Sequence, residues 1–160
     1  MPRRLPLVNK LPRHLGDAVL LIGLANIGVF LVCFVGFFVL RSKGFADVYH
    51  DWLALSARNV LSGKVWTLLT YGFLHDLDTL MHIAANMIGL YFLGPPIERR
   101  FGKRAMLKFW IGALLGGGIL AFFADLIGPA DTLTFGASAG TIALVGAWSW
   151  IYPEQTLLLM

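Results

Sequence analysis

Long uncharged apolar stretches alternate with short charged ones along the chain. Residues 18–40 hold 23 positions without a charge, residues 79–97 hold 19 and residues 133–152 hold 20. Residues 109–124 are also uncharged, and this stretch with its flanks predicts a helix over 107–127. A helix needs about 20 apolar residues to cross the hydrocarbon core of a bilayer. The pattern therefore predicts four transmembrane helices, over 18–40, 79–97, 107–127 and 133–152. Alternation at period two, the mark of a membrane β-barrel, is absent. The expected fold class is an all-α integral membrane protein, with an N-terminal tail over 1–17 and a membrane domain over 18–160. The loop over 41–78 is long for a compact helical protein, which points to function or to structure of its own. Its apolar residues Phe45, Val48, Trp52, Leu53, Leu55 and Val60 predict short amphipathic helices lying in the interface. The first stretch is longer than a signal-peptide core of about 7–15 residues, and Arg41-Ser42-Lys43 follows it instead of a small-residue cleavage site. It is expected to be retained. After Pro153-Glu154, the run Gln155-Thr156-Leu157-Leu158-Leu159-Met160 reads as a fifth apolar segment cut at its start.

Composition agrees. Of 160 residues, 58% are apolar and 14% charged, and the mean hydropathy is +0.73. Soluble domains are about 45–50% apolar and about 25% charged, so most soluble enzymes and disordered chains are excluded. A net charge of +4 invites a nucleic-acid reading, but basic residues scattered between apolar runs fit membrane topology instead, and no nucleic acid is expected as a partner. The single cysteine, Cys33, excludes an intramolecular disulfide and a Cys-rich zinc site. No metal or organic cofactor is expected. Arg3, Arg4, Lys10 and Arg13 mark the tail, and Arg99, Arg100, Lys103, Arg104 and Lys108 mark the turn after the second span. By the positive-inside rule both lie in the cytoplasm, and the loop over 41–78 faces outward. The expected location is a multi-pass position in a membrane, the inner membrane if the source is bacterial.

Polar side chains inside spans are costly and mark functional hypotheses. The second span carries His82 and Asn86, four residues apart and so on one helix face. At about 1.5 Å per residue they lie roughly 5 and 10 Å below its outer start. The fourth span carries Ser138 in Gly136-Ala137-Ser138-Ala139-Gly140, near its own outer start. Three hydrogen-bonding side chains from two helices thus fall in one outward-facing layer. Taken singly, each has a plainer reading. Ser138 would bond its own helix, Asn86 a neighbouring one, and the small-residue pairs Gly136/Gly140 and Gly112/Gly116 would serve close packing. His82 alone is balanced between packing and function. Asn26 reads as packing, Ser149 as part of an interfacial aromatic belt, and His14 and His50 as solvent or interface residues. Asp125 is expected at the outer end of the third span.

These residues together resemble the rhomboid intramembrane serine proteases. The resemblance rests on Trp66-Thr67-Leu68-Leu69-Thr70-Tyr71-Gly72-Phe73-Leu74-His75, on His82 and Asn86, on Gly94 with Glu98-Arg99-Arg100-Phe101-Gly102, and on Gly136-Ala137-Ser138 with Leu144 and Gly146 downstream. It covers about residues 65–153. It implies a rhomboid-like bundle of which about four of six helices are present. Ser138 would be the nucleophile, with Asn86, His82 and the Ser138 backbone N–H as the oxyanion hole. A serine hydroxyl needs an adjacent base, which the resemblance assigns to a histidine on a later helix. The substrate would be a transmembrane segment of another membrane protein, unwound locally in the lipid bilayer. Trp66, His75, Glu98, Gly102, Gly136 and Gly140 would be motif or structural positions.

The chain departs from the family pattern at four places. Thr67 stands where an arginine is usual, Ala139 where a glycine is usual, and Ile142 where an aromatic is usual; no histidine follows His82. The 160 residues alone are therefore expected to be inactive or very slow. Three readings compete: a C-terminally truncated portion of a rhomboid protease, a non-catalytic rhomboid-like protein that binds transmembrane helices, and an unrelated transporter or channel subunit. The last lacks a visible pair of broken helices.

Overall fold

The computed structural model describes residues 16–41, 43–128 and 132–154. Its architecture is helical throughout: α1 (Asp17–Phe34), α2 (Lys43–Asp47), α3 (Ala57–Leu61), α4 (Thr67–Thr70), α5 (Leu80–Phe101), α6 (Lys103–Ile127) and α7 (Ser138–Ile151). α1 and α2 each run on into a π-helical turn, at Val35–Val39 and Val48–Leu53, and α4 into a 3-10 turn at Tyr71–Phe73. Extended contact is limited, among the described residues, to one antiparallel bridge between Leu55 and Thr134.

Among the described residues, three helices are long and apolar enough to cross a membrane: Asp17–Val39, Leu80–Phe101 and Lys103–Ile127. α1 buries Ala18, Val19, Ile22, Asn26, Phe30 and Cys33, spaced by three or four residues, and leaves Leu20, Leu21, Leu24 and Leu31 exposed. A helix apolar on every face, with apolar residues turned outward, is suited to lipid and not to water. α6 buries Met106, Trp110, Leu114 and Gly118 at steps of four. Met106, Trp110 and Leu114 meet Leu90, Leu93 and Ile97 of α5 and Leu144 of α7 in the main core. A second cluster of Cys33, Tyr49, Ala54 and Leu74 fastens the loop over 41–78 to the C-terminal end of α1. Apolar helices gain little from leaving lipid for one another, so close packing must hold them together. Gly140 illustrates this: a Cβ there would meet the Trp110 ring at 2.7 Å. The Gly112/Gly116 pair does not serve close packing as expected, because nothing lies within 4 Å of a Cβ at either position; Gly117 and Gly118 make the contacts, against Ala139 and the Leu68 carbonyl.

The fourth span also differs from expectation. A 20-residue helix over 133–152 is replaced by extended chain through Phe135 and a 14-residue helix starting at Ser138. At about 1.5 Å per residue α7 is roughly 21 Å long, short of the roughly 30 Å core. The cause is local. Gly136 has φ +125°, a value open to glycine but strained for other residues. The amides of Thr134 and Gly136 donate to the Leu55 and Tyr71 carbonyls instead of to a helix. The second span, in contrast, runs past residue 97 through Glu98 and both arginines to Phe101, and Gly102 at φ +87° ends it.

Glu98 explains why the sequence tolerates a carboxylate there. It is 7% exposed, and its two oxygens accept from the Ala18 and Val19 amides at 2.9 and 3.0 Å. One buried carboxylate thus satisfies two of the four free N–H groups at the start of α1 and favours its positive end. Lys103 reaches Asp17 at 3.5 Å nearby. The beginning of α1 and the α5–α6 turn therefore share one end of the molecule. The loop over 41–78 holds short helices, and its exposed Trp52 and Trp66 stack at 5.9 Å. The tail over 1–15, with His14, and the apolar run over 155–160 lie outside the described residues.

Candidate active site

Ser138 is the first residue of α7 and is exposed. Three attachments set its position. Asp125, at the end of α6, accepts from Thr132 N at 2.9 Å. Leu55 and Thr134 exchange backbone bonds of 3.1 and 2.8 Å, and Gly136 N donates to Tyr71 O at 2.9 Å. The same Asp125 carboxylate accepts from Ala57 N at 2.6 Å, so it joins α6, α3 and the extended segment before Ser138. Tyr71 is fixed in turn by its hydroxyl, which donates to the Leu114 carbonyl at 2.8 Å.

His82 and Asn86 come from the first two turns of α5. A Cβ on Gly136 would lie 2.6 Å from His82 Nε2, so the imidazole edge touches the backbone two residues before Ser138. His82 Nδ1 accepts from Asp76 N at 3.4 Å. In a neutral ring, an accepting Nδ1 leaves the proton on Nε2. His82 thus offers an N–H donor toward the segment leading into Ser138. Asn86 is buried; its Nδ2 donates to His82 O at 2.9 Å, and its Oδ1 accepts from Thr141 Oγ1 at 3.1 Å. Thr141 also lies 3.0 Å from Ser138 O. The hydroxyl helix and the imidazole–amide helix therefore meet in one layer, joined through Thr141.

His75 is 1% exposed. Its ring stands edge-on to His82 with centroids 5.2 Å apart, and Tyr49 OH donates to its carbonyl at 2.9 Å. Burial first, then the neighbouring His82, lower its pKa to about 4, against a weaker upward pull from the Phe73 carbonyl. His75 is accordingly neutral at pH 7. Burial also pushes the Tyr71 phenol up to about 12, so it remains a donor.

The remaining motif positions serve as supports. Trp66 donates from Nε1 to Trp52 O at 2.8 Å. Thr67, where an arginine is usual, is fully buried and donates to Lys64 O at 2.7 Å. Ile142 is 69% exposed. Asn26 donates to Ile22 O at 2.8 Å and Ser149 to Val145 O at 3.0 Å, both within their own helices. No cluster of three or more metal-ligating side chains occurs among the described residues. Sequence reasoning missed Thr141 and the anchoring role of Asp125. Thr141 had a usable signal, three residues after Ser138 on the same helix. Asp125 had none, because its partners are backbone amides.

Apolar spanning helices packed around this layer make the chain a helical membrane protein. A family model described as Rhomboid domain matches residues 62–159. The chain is 32% identical to RHOMBOID-like protein 12, mitochondrial, of Arabidopsis thaliana, over 89% of this chain and 44% of that protein. It is 30% identical to Rhomboid protease GlpG of Salmonella typhi, over 79% of this chain and 43% of that protein. Rhomboid-like protein 16, chloroplastic, of Arabidopsis thaliana is 42% identical over 41% of this chain and 20% of that protein. The chain belongs to the rhomboid family, and it spans less than half the length of these relatives.

Proposed function

We propose that this chain carries the nucleophile and oxyanion donors of an intramembrane serine endopeptidase that cleaves transmembrane segments of other membrane proteins. The observation that carries this reading is the meeting of α5 and α7: His82 Nε2 against Gly136, and Asn86 tied through Thr141 to the backbone of Ser138. Ser138 Oγ attacks the scissile carbonyl carbon, and the carbonyl electron pair moves to its oxygen. That oxyanion accepts from Asn86 Nδ2, His82 Nε2 and Ser138 N, the last free because helix-starting amides lack an intrahelical acceptor. One such preorganised donor is worth about 10²–10³ in rate. Gly136, lacking a Cβ, keeps the approach beside His82 open.

The hydroxyl proton needs an acceptor. The four histidines, His14, His50, His75 and His82, all precede Ser138. His82 is assigned as a donor, and His75 is buried and, with its pKa lowered to about 4, a weak base, so the base is assigned to residues outside these 160. The N-terminal tail and the α5–α6 turn are assigned to the cytoplasmic side of the membrane, the inner membrane if the source is bacterial. The ion pair between Asp17 and Lys103 supports a common side for both.

The test uses the natural full-length protein in proteoliposomes with a transmembrane substrate and a fluorophosphonate probe. Cleavage and labelling in the wild type, both lost in Ser138→Ala, are expected. Asn86→Ala should lower turnover about tenfold or more with the fold retained. Labelling that survives Ser138→Ala removes Ser138 from its role. A folded wild type that binds a transmembrane helix without cleaving it selects the non-catalytic reading, which the substitutions at Thr67, Ala139 and Ile142 favour.

A further inference from the structure

We infer that Thr141 is a positioning residue that orients the Asn86 amide for the oxyanion at Ser138. This inference rests on the protease reading for its catalytic consequence and on geometry alone for its structural one. An asparagine amide can turn over about χ2, exchanging its oxygen and nitrogen at little cost unless its partners distinguish them. Here they do. The His82 carbonyl accepts only, and it takes one Nδ2–H at 2.9 Å. The Thr141 hydroxyl donates to Oδ1 at 3.1 Å. Turning the amide over would set Oδ1 against the His82 carbonyl oxygen. With both ends engaged, one Nδ2–H is used and the second is left over. That second N–H is the one an oxyanion can take.

The same hydroxyl lies 3.0 Å from the Ser138 carbonyl, so one proton is shared between the amide of α5 and the backbone of the nucleophile. Thr141 thereby registers donor and nucleophile against each other across two helices. Its Cβ and Cγ2 face Gly89, where an added Cβ would stand 3.5 Å from both. A β-branched side chain has few χ1 choices in a helix. Valine at 141 would retain the shape and lose the hydroxyl. Serine would retain the hydroxyl and lose the methyl group.

The experiment has two readouts on Thr141→Val and Thr141→Ser. The first is structural and uses the 160-residue chain in lipid nanodiscs with 15N-asparagine. Four asparagines, Asn9, Asn26, Asn59 and Asn86, give four side-chain amide pairs, and Asn86→Asp assigns the one of interest. In Thr141→Val this pair should shift or broaden while the other three stay fixed, and Thr141→Ser should restore it. An unchanged Asn86 pair in Thr141→Val overturns the inference, whatever the catalytic outcome. The second readout is turnover by the natural full-length protein. Thr141→Val should lower kcat about tenfold with KM unchanged, Thr141→Ser should recover most of it, and Thr141→Val should add no further loss on an Asn86→Ala background. Wild-type turnover in Thr141→Val, or an additive loss in the double variant, overturns the positioning role. A wild type that cleaves nothing counts against the protease reading, and the amide signals then decide the placement of Thr141 on their own.

Discussion

Asp125 is the most informative place to perturb the architecture. Its carboxylate is 9% exposed and accepts from two backbone amides, Ala57 at 2.6 Å and Thr132 at 2.9 Å. Leaving a buried donor unsatisfied costs about 1–3 kcal/mol. Asp125→Asn retains one acceptor oxygen and turns an NH₂ toward the other amide, so one bond is lost and a donor faces a donor. The expected loss of stability is about 2 kcal/mol, and for Asp125→Ala, which strands both amides, about 3 kcal/mol. Asp78→Asn is the control. Asp78 is exposed, and surface changes away from special features stay within about 0.5 kcal/mol. The assay is reversible unfolding in mixed micelles by titration with an anionic detergent, followed by tryptophan fluorescence and helical circular dichroism. If Asp125→Asn and Asp125→Ala both fall within about 0.5 kcal/mol of the wild type, the carboxylate does not anchor the chain ahead of Ser138.

Three more predictions follow from other contacts. Glu98→Gln should cost about 1–2 kcal/mol in the same unfolding assay, because a glutamine offers one acceptor oxygen to the two amides of Ala18 and Val19. Gly136→Ala should cost about 2 kcal/mol or more, from a φ of +125° and a Cβ placed 2.6 Å from His82 Nε2; a crystal structure or amide spectrum should show His82 displaced. His75, lowered to about 4 in the folded state, binds fewer protons than the unfolded chain between about pH 4 and 6.5. Stability should therefore fall on acidification through that window, by up to about 1.4 kcal/mol per pH unit, and His75→Gln should flatten the slope of melting temperature against pH.

The spanning helices were legible because apolar length is a strong signal and lipid makes it compulsory. That His82 and Asn86 share one face of α5 was legible too, from their four-residue spacing. The start of α7 was not. Nothing in Leu133-Thr134-Phe135 forbids a helix; what unwinds it is hydrogen bonding to Leu55 and Tyr71, some 60–80 positions earlier in the chain. The partners of Glu98 and the anchoring role of Asp125 escaped for the same reason. Their partners are main-chain amides of remote segments, and an amide has no identity a sequence can display. Thr141 was hidden differently, as a mildly polar residue in an apolar helix whose worth depends on what faces it.

The hydrogen bonds between the loop over 41–78 and the extended segment ahead of α7 run from main chain to main chain. Bonds of this kind are indifferent to which side chains hang from them. Substitution within that segment leaves them available, but inserting or deleting a single residue between Thr134 and Ser138 would turn the hydroxyl to another azimuth of the helix. Spacing, more than composition, is what this part of the chain has to preserve.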